Sequence, residues 1–268
     1  MSGIIKIHAR PKLSEPNLLA AWPGIGNVAA IIASYLKAKL GFKELGALEA
    51  PYFFDPVGVL VKNNVVESPD FPQSRFYYYK NEGEGRDLIL FIGDDQPQSK
   101  AYELANAVLD VGQRFGARRV YTCAAAMTRI HHTEPPRVWG VATSYDLTDD
   151  LAKYNLMQAS NLQIAGLNGL LLGAAKEKGV DGVCLLGEVP LYATRVHNPM
   201  AALAVTRVLA SMLEINVELD ELAHMAVEAA DRIKQVAAQA MEEYIDYFTE
   251  PIWERGEDDE DDDDEAEE

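Results

Sequence analysis

Residues 87–93 read DLILFIG, apolar almost without interruption. A strand with one wetted face alternates polar and apolar side chains, so a run without alternation has to be covered on both faces. That covering comes from helices packed on either side of a sheet, and the neighbouring sequence supplies them. Residues 99–115 follow, with Leu104, Val108, Val111 and Phe115 at helical spacing and Gly116 as the stop. Residues 119–123 and 138–143 then read as further strands.

The same rhythm runs through the rest of the chain. Residues 4–9 and 18–22 are short apolar runs that read as strands. In residues 25–40, Val28, Ile31, Ile32, Tyr35 and Leu36 share one helical face, and Gly41 ends it. Residues 45–49 and 57–61 read as strands on either side of PYFFDP. An aromatic strand at 75–80 is turned by 81–85 toward 87–92, to pair as a hairpin or to lie apart in one sheet. Residues 167–178 are a helix between Gly166 and Gly179, residues 182–186 a strand, and residues 200–213 a helix started by Asn198-Pro199. The last helix covers about 219–248, with Leu222, Met225, Ala229, Ile233, Val236, Ala240 and Tyr244 on its apolar face. The expected fold is α/β: a three-layer α/β/α sandwich on a mostly parallel sheet, one domain over residues 1–249 that includes the long C-terminal helix.

Charge separates the ends of the molecule. The chain of 268 residues carries a net charge of −18. Residues 256–268, GEDDEDDDDEAEE, hold eleven carboxylates and no base, leaving 24 bases against 31 acids, a balance of −7, on the remainder. Residues 250–268 are therefore expected to be an acidic, disordered tail that buries no apolar surface. The mildly acidic body argues against binding nucleic acid through its phosphates. No window approaches the ~18 uninterrupted apolar residues of a membrane span. The N-terminus, MSGIIKIHARPK, reads as a strand and not as a signal peptide. The expectation is a soluble cytoplasmic protein that binds neither nucleic acid nor membrane. Cys123 and Cys184 sit in YTCAAA and GVCLLG without a CxxC neighbour, as buried reduced thiols do.

Ligands of open α/β sheets bind beyond the carboxyl ends of the strands. Four loops there form a candidate cleft. The first is Pro23-Gly24-Ile25-Gly26-Asn27, where Gly24, Gly26 and Asn27 either let a helix N-terminus approach an anion or admit the protein's own chain. The second is Gly93-Asp94-Asp95-Gln96-Pro97, whose carboxylates suit a metal, acid–base chemistry, a helix cap or a bond to a neighbouring loop. The third carries Asn168 and Gly169 at the opening of the LLLGAA helix, with Asn168 as a cap or a pocket wall. The fourth is Gly187-Glu188-Val189-Pro190, with Arg195 as the expected partner of Glu188. His131-His132 lacks a third ligand at metal-site spacing, and HExxH, GxSxG and GxxxxGK[ST] are absent. No metal, cofactor or catalytic residue is assigned.

In order along the chain, PGIGNVAAIIASYL, DLILFIGDDQP with YELANAVLD, GLNGLLLGAAKEKGVDGVCLLGE, and then Pro and YAT resemble the proteasome assembly chaperone 2 family in its prokaryotic form. The resemblance covers most of residues 15–245. It implies a core like that of purine nucleoside phosphorylases, without their activity. It also implies homo-oligomers, a trimer or tetramer foremost, and contact with proteasome α-subunits where the organism has them. Some members carry an ATP-grasp or carboxylate–amine ligase label. Chaperones and activators that dock on the proteasome often do so through a terminal hydrophobic-Tyr-any tripeptide; here the sequence reads Glu265-Ala266-Glu267-Glu268, a departure from that pattern. Two functions follow: a non-catalytic, chaperone-like assembly factor, or a small-ligand protein or enzyme, with a nucleotide or phosphate ligand, that uses the cleft.

Overall fold

A computed structural model describes residues 3–56, 58–158 and 161–249, so the acidic tail lies outside the described residues. The chain runs β1 (Ile5–Ile7), β2 (Asn17–Ala21), a 3-10 turn (Ile25–Asn27), α1 (Val28–Leu40), β3 (Lys43–Leu48) and α2 (Ala50–Phe53). It continues through β4 (Val61–Lys62), β5 (Val65–Val66), β6 (Ser74–Tyr79), β7 (Leu88–Gly93), α3 (Ala101–Arg114), β8 (Arg119–Thr128), β9 (Val138–Ala142), α4 (Tyr145–Ala152) and β10 (Met157–Gln158). Then come α5 (Gly166–Glu177), β11 (Asp181–Pro190), a second 3-10 turn (Leu191–Ala193), α6 (Pro199–Leu213) and α7 (Asp220–Thr249).

Nine strands form one sheet in the order β1-β3-β6-β7-β2-β8-β11-β9-β10. Its centre is the parallel ladder β7-β2-β8-β11. Antiparallel pairs flank it, with β6 and β3 on one side and β9 on the other, and β10 returns parallel to β9. The parallel character is thus concentrated in the buried middle. The aromatic run and DLILFIG pair as neighbours, Ser74 opposite Gly93.

Period-two alternation assigns each face. In β2, Leu18 and Ala20 join Leu104, Val108 and Val111 of α3 and Leu167, Leu171 and Ala175 of α5. Leu19 and Ala21 point the other way, to Ile32 and Leu36 of α1 and Val205 and Leu209 of α6. All five residues of β2 are buried, as a central strand covered on both faces requires. α7 adds an outer layer on α1 and α6, where Leu222 and Ala226 pack with Tyr35 and Leu203. The Tyr35 hydroxyl donates to the Glu218 carbonyl at 2.7 Å. The buried face of α7 is Leu222, Ala226, Ala229 and Ile233, while Met225, expected on it, is 39% exposed at its margin. Ala240 and Tyr244 lie outside the residues whose side chains are described.

Several elements differ from the sequence expectation. β8 and β11 are each ten residues long and pair in register from Arg119–Asp181 to Thr128–Pro190, so Gly187 and Glu188 lie inside a strand and not in a loop. Of the strand expected at 57–61 only Val61 lies in a strand, where it opens a small separate hairpin, β4–β5; residues 58–60 are irregular, and residue 57 is outside the described residues. α4 and β10 were not signalled. Among the described residues no helix is long and apolar enough to cross a membrane.

Candidate functional site

The first loop is held by the chain that follows β11. Gly26 has φ +61°, a left-handed conformation that a side chain disfavours. Its N–H donates to the Thr194 carbonyl at 3.0 Å, and its carbonyl accepts from the Asn198 N–H at 2.8 Å. A Cβ on Gly26 would lie 3.1 Å from the Cβ of Asn198. Asn27, also left-handed at φ +50°, pairs its side-chain amide with the His197 ring at 2.7 Å. The tight stretch admits the protein's own backbone.

Two amide side chains join the first loop to the second and third. Gln96 donates through Nε2 to the Pro23 carbonyl at 2.6 Å and accepts through Oε1 from the Leu167 N–H at 2.8 Å. It thereby satisfies one of the free N–H groups at the start of α5. Asn168 is 4% exposed; its Oδ1 accepts from the Trp22 N–H at 3.2 Å, and its Nδ2 donates to the Trp22 carbonyl at 3.4 Å. It does not cap α5, because it clamps the end of β2. Gly24 lies beneath it, with room for a Cβ 3.8 Å from Asn168 Nδ2. Gly169 has no such room: a Cβ there would lie against the Ile164 carbonyl.

The carboxylates are placed differently. Asp94 exchanges two bonds with the backbone of Gln73, donating from its N–H at 2.8 Å and accepting through Oδ2 at 3.1 Å. Asp95 accepts from the N–H of Gln96 at 2.7 Å. Both are exposed, and neither caps α3, whose first turn is preceded by Lys100. Glu188 is fully buried, and its partner is Arg137, not Arg195. Oε2 accepts from the backbone N–H and Nε of Arg137 at 3.0 Å each, and Oε1 accepts from Nη2 at 2.8 Å and from the Trp139 indole at 3.3 Å. The reason is topological: Glu188 lies on a strand whose neighbour β9 places Val138 opposite Gly187. Arg195 lies exposed past the second 3-10 turn. Burial by itself drives the Glu188 pKa up, but the bonds from Arg137 and Trp139 outweigh it and hold the carboxyl below the usual range.

A cavity of about 550 Å³ opens where the first three loops meet. Gly24, Gln96 and Asn168 line it; Gly26, Asn27, Asp94, Asp95, Gly169, Glu188 and Arg195 stand outside its wall. The remaining wall is mainly apolar and comes from the far end of β8 and the segment before α5, including Ala124, Ala125, Met127, Leu162 and Ile164. Met127 and Leu162 are 52% and 41% exposed. Ile164 belongs to the third candidate loop, which the sequence did signal; Ala124, Ala125, Met127, Leu162 and Arg137 were not singled out. The β8 extension is alanine-rich, and Arg137 is linked to Glu188 only through strand pairing. His132 lies in an exposed loop, where its backbone N–H and Nδ1 each lie 2.9 Å from the Tyr192 hydroxyl. Among the described residues no group of three or more His, Cys, Asp or Glu is gathered as for a metal.

This arrangement, with loops tied end to end by backbone-directed amides, coincides with the segment that matches a known family profile. The PAC2 family profile matches residues 18–237. The chain belongs to the PAC2 family. Among PAC2-like relatives, the uncharacterized protein MJ1210 of Methanocaldococcus jannaschii is 29% identical over 221 residues, 81% of either chain. The crystal structure of Pyrococcus furiosus PbaB, described as an archaeal proteasome activator, superposes with a TM-score of 0.74 at 29% identity, covering 87% of this PAC2 chain and 98% of PbaB. Pyrococcus furiosus PbaA, described as an archaeal homolog of proteasome-assembly chaperone, has the same fold, with a TM-score of 0.67 at 24% identity over 90% of this chain and 99% of its own.

Proposed function

We propose that this PAC2 protein is a non-catalytic, chaperone-like assembly factor that binds proteasome subunits and copies of itself in the cytoplasm. The observation that carries the proposal is the likeness to PbaB, a proteasome activator, over nearly the whole of both chains. The site geometry is in keeping with it. Asn168 and Glu188 spend both side-chain polar atoms on other parts of this chain, and Asn27 and Asp94 one each. Groups engaged in the way of Asn168 and Glu188 brace loops and shape a surface, which supports a structural role for them.

The test is co-purification with proteasome subunits from the source organism, followed by size analysis of a reconstituted mixture with its α-subunits. A comigrating complex is the expected result. Migration of each component alone at high concentration overturns the proposal.

A second reading rests on the cavity. Its volume of about 550 Å³ lies within the ~300–1,000 Å³ of small-ligand sites. Native mass spectrometry of the freshly purified protein separates the two, because a retained nucleotide or other metabolite without any protein partner favours the ligand reading.

A further inference from the structure

The β4–β5 hairpin breaks the ordinary rules for a protein surface. Val59, Leu60, Val61, Val65 and Val66 are between 51% and 65% exposed, in a stretch of eight residues. Asn63 and Asn64, at φ +51° and +63°, form the tight turn, both central residues being left-handed as a type I′ hairpin requires. Val61 faces Val66 and Lys62 faces Val65, so apolar side chains stand on both faces of the hairpin. It forms a second sheet that, among the described residues, is joined to no other strand. A free two-stranded hairpin is marginal in water, and contiguous exposed apolar patches mark contact surfaces.

The same chain offers a cover for it. β3 runs parallel to the central strands, because it pairs antiparallel with β6 and β6 antiparallel with β7. The hairpin, inserted between β3 and β6, therefore leaves the sheet at the edge where the 550 Å³ cavity opens beyond β2 and β8. That cavity has a mainly apolar wall and leaves Met127 and Leu162 exposed. We infer that the hairpin is an arm whose occupant site is this cavity on a second copy of the chain.

Because arm and cavity lie on one edge, two copies meeting edge to edge complete both contacts at once, each arm in the other's cavity about a two-fold axis. Area favours this reciprocal form. One arm offers only a few hundred Å², short of the roughly 800 Å² per partner of a stable interface; reciprocal exchange makes each copy contribute an arm and a cavity. The reciprocal contact uses the one arm and the one cavity of each copy, so it closes on itself as a dimer. It rests on the self-association proposed above and names its surface.

The test is the mass of the full chain in solution by light scattering, for wild type, the double variant Val61→Asp/Val66→Asp, and Met127→Glu. These side chains are exposed, so circular dichroism and melting temperature are expected to stay at wild-type values. The expected result is that both variants fall to half the wild-type mass or less at the same concentration. Mixing separately prepared Leu60→Cys and Met127→Cys chains under oxidation is expected to give the mixed disulfide, since native Cys123 and Cys184 are buried. An oligomer that survives both surface changes overturns the arm while leaving self-association intact. A monomeric wild type overturns self-association itself and the arm with it. Cross-linking of Leu60→Cys only to itself overturns the cavity as the socket, and so does wild-type mass combined with loss of a bound proteasome subunit.

Discussion

Glu188 and Arg137 are 51 residues apart in sequence, yet three bonds of 3.0 Å or less join the fully buried carboxylate to the guanidinium and the backbone N–H. The carboxylate accepts a fourth from Trp139. A buried charge is stable only when its partners replace water this completely.

The first prediction follows from that replacement. Glu188→Ala removes the shared acceptor of Arg137 and Trp139 and empties a buried site, but water can reach the released, exposed Arg137, so the expected cost is about 1–2 kcal/mol of unfolding free energy, measured in denaturant. The pH dependence has a definite sign. Glu188 has a folded-state pKa below its unfolded value, so its contribution is present above the unfolded pKa and is lost as pH falls through the folded one. Glu188→Gln is expected to remove that part of the acid sensitivity. An unchanged acid profile in Glu188→Gln rejects the assignment.

Asn168 provides the second. It is 4% exposed and supplies a donor and an acceptor to the backbone of the fully buried Trp22. Asn168→Leu keeps the volume but orphans both groups, at an expected cost of about 2 kcal/mol. Thermal unfolding checks it, and a variant as stable as wild type shows that Trp22 finds other partners.

The third concerns Gly26. Its left-handed backbone and the 3.1 Å approach to Asn198 act together. Gly26→Ala is expected to destabilise by about 1–2 kcal/mol from the backbone alone, and Gly26→Val by more, because its branched Cβ meets the Asn198 side chain. If Gly26→Val melts like wild type but loses a bound small molecule, the glycine serves a ligand and not packing.

The parts of the fold that sequence made legible are those where one physical signal dominates. DLILFIG has no alternation because both its faces are covered, and the helices on either side show their stripes. The end of β11 was hidden because Gly187 and Pro190 imitate a loop. Gly187 is there for another reason: a Cβ would lie 2.8 Å from the Ala201 carbonyl, so the glycine lets α6 sit on the strand. The end of β8 was hidden because Ala124, Ala125 and Ala126 carry no strand preference of their own. Misreading β11 as a loop then misassigned the partner of Glu188, since a loop carboxylate looks to nearby residues whereas a strand carboxylate looks across the sheet. The convergence of Gly24, Gln96 and Asn168 was legible because strand-end loops of a parallel sheet share one edge.

The last prediction concerns the thiols. Cys123 and Cys184 lie on adjacent strands, both buried. Burial raises both; Cys184 is pushed up to about 12 even though the Thr122 hydroxyl pulls it slightly down, and Cys123 goes well above the ordinary thiol value through burial and then the neighbouring Cys184. The thiolate is the reactive species, and with a pKa of about 12 it amounts to about one part in 10⁴ at pH 8. Access is limiting as well, because the Cys184 side chain sits among Ala126, Leu172 and Leu186 and the Cys123 side chain faces the opposite core. An aromatic disulfide reagent is therefore expected to titrate no thiol in the native protein and both in denaturant. Slow native labelling should track opening of the central strands, with β8 and β11 reacting together. Rapid labelling of one thiol in native buffer would show that one face of the ladder opens to solvent, contrary to the packing described above.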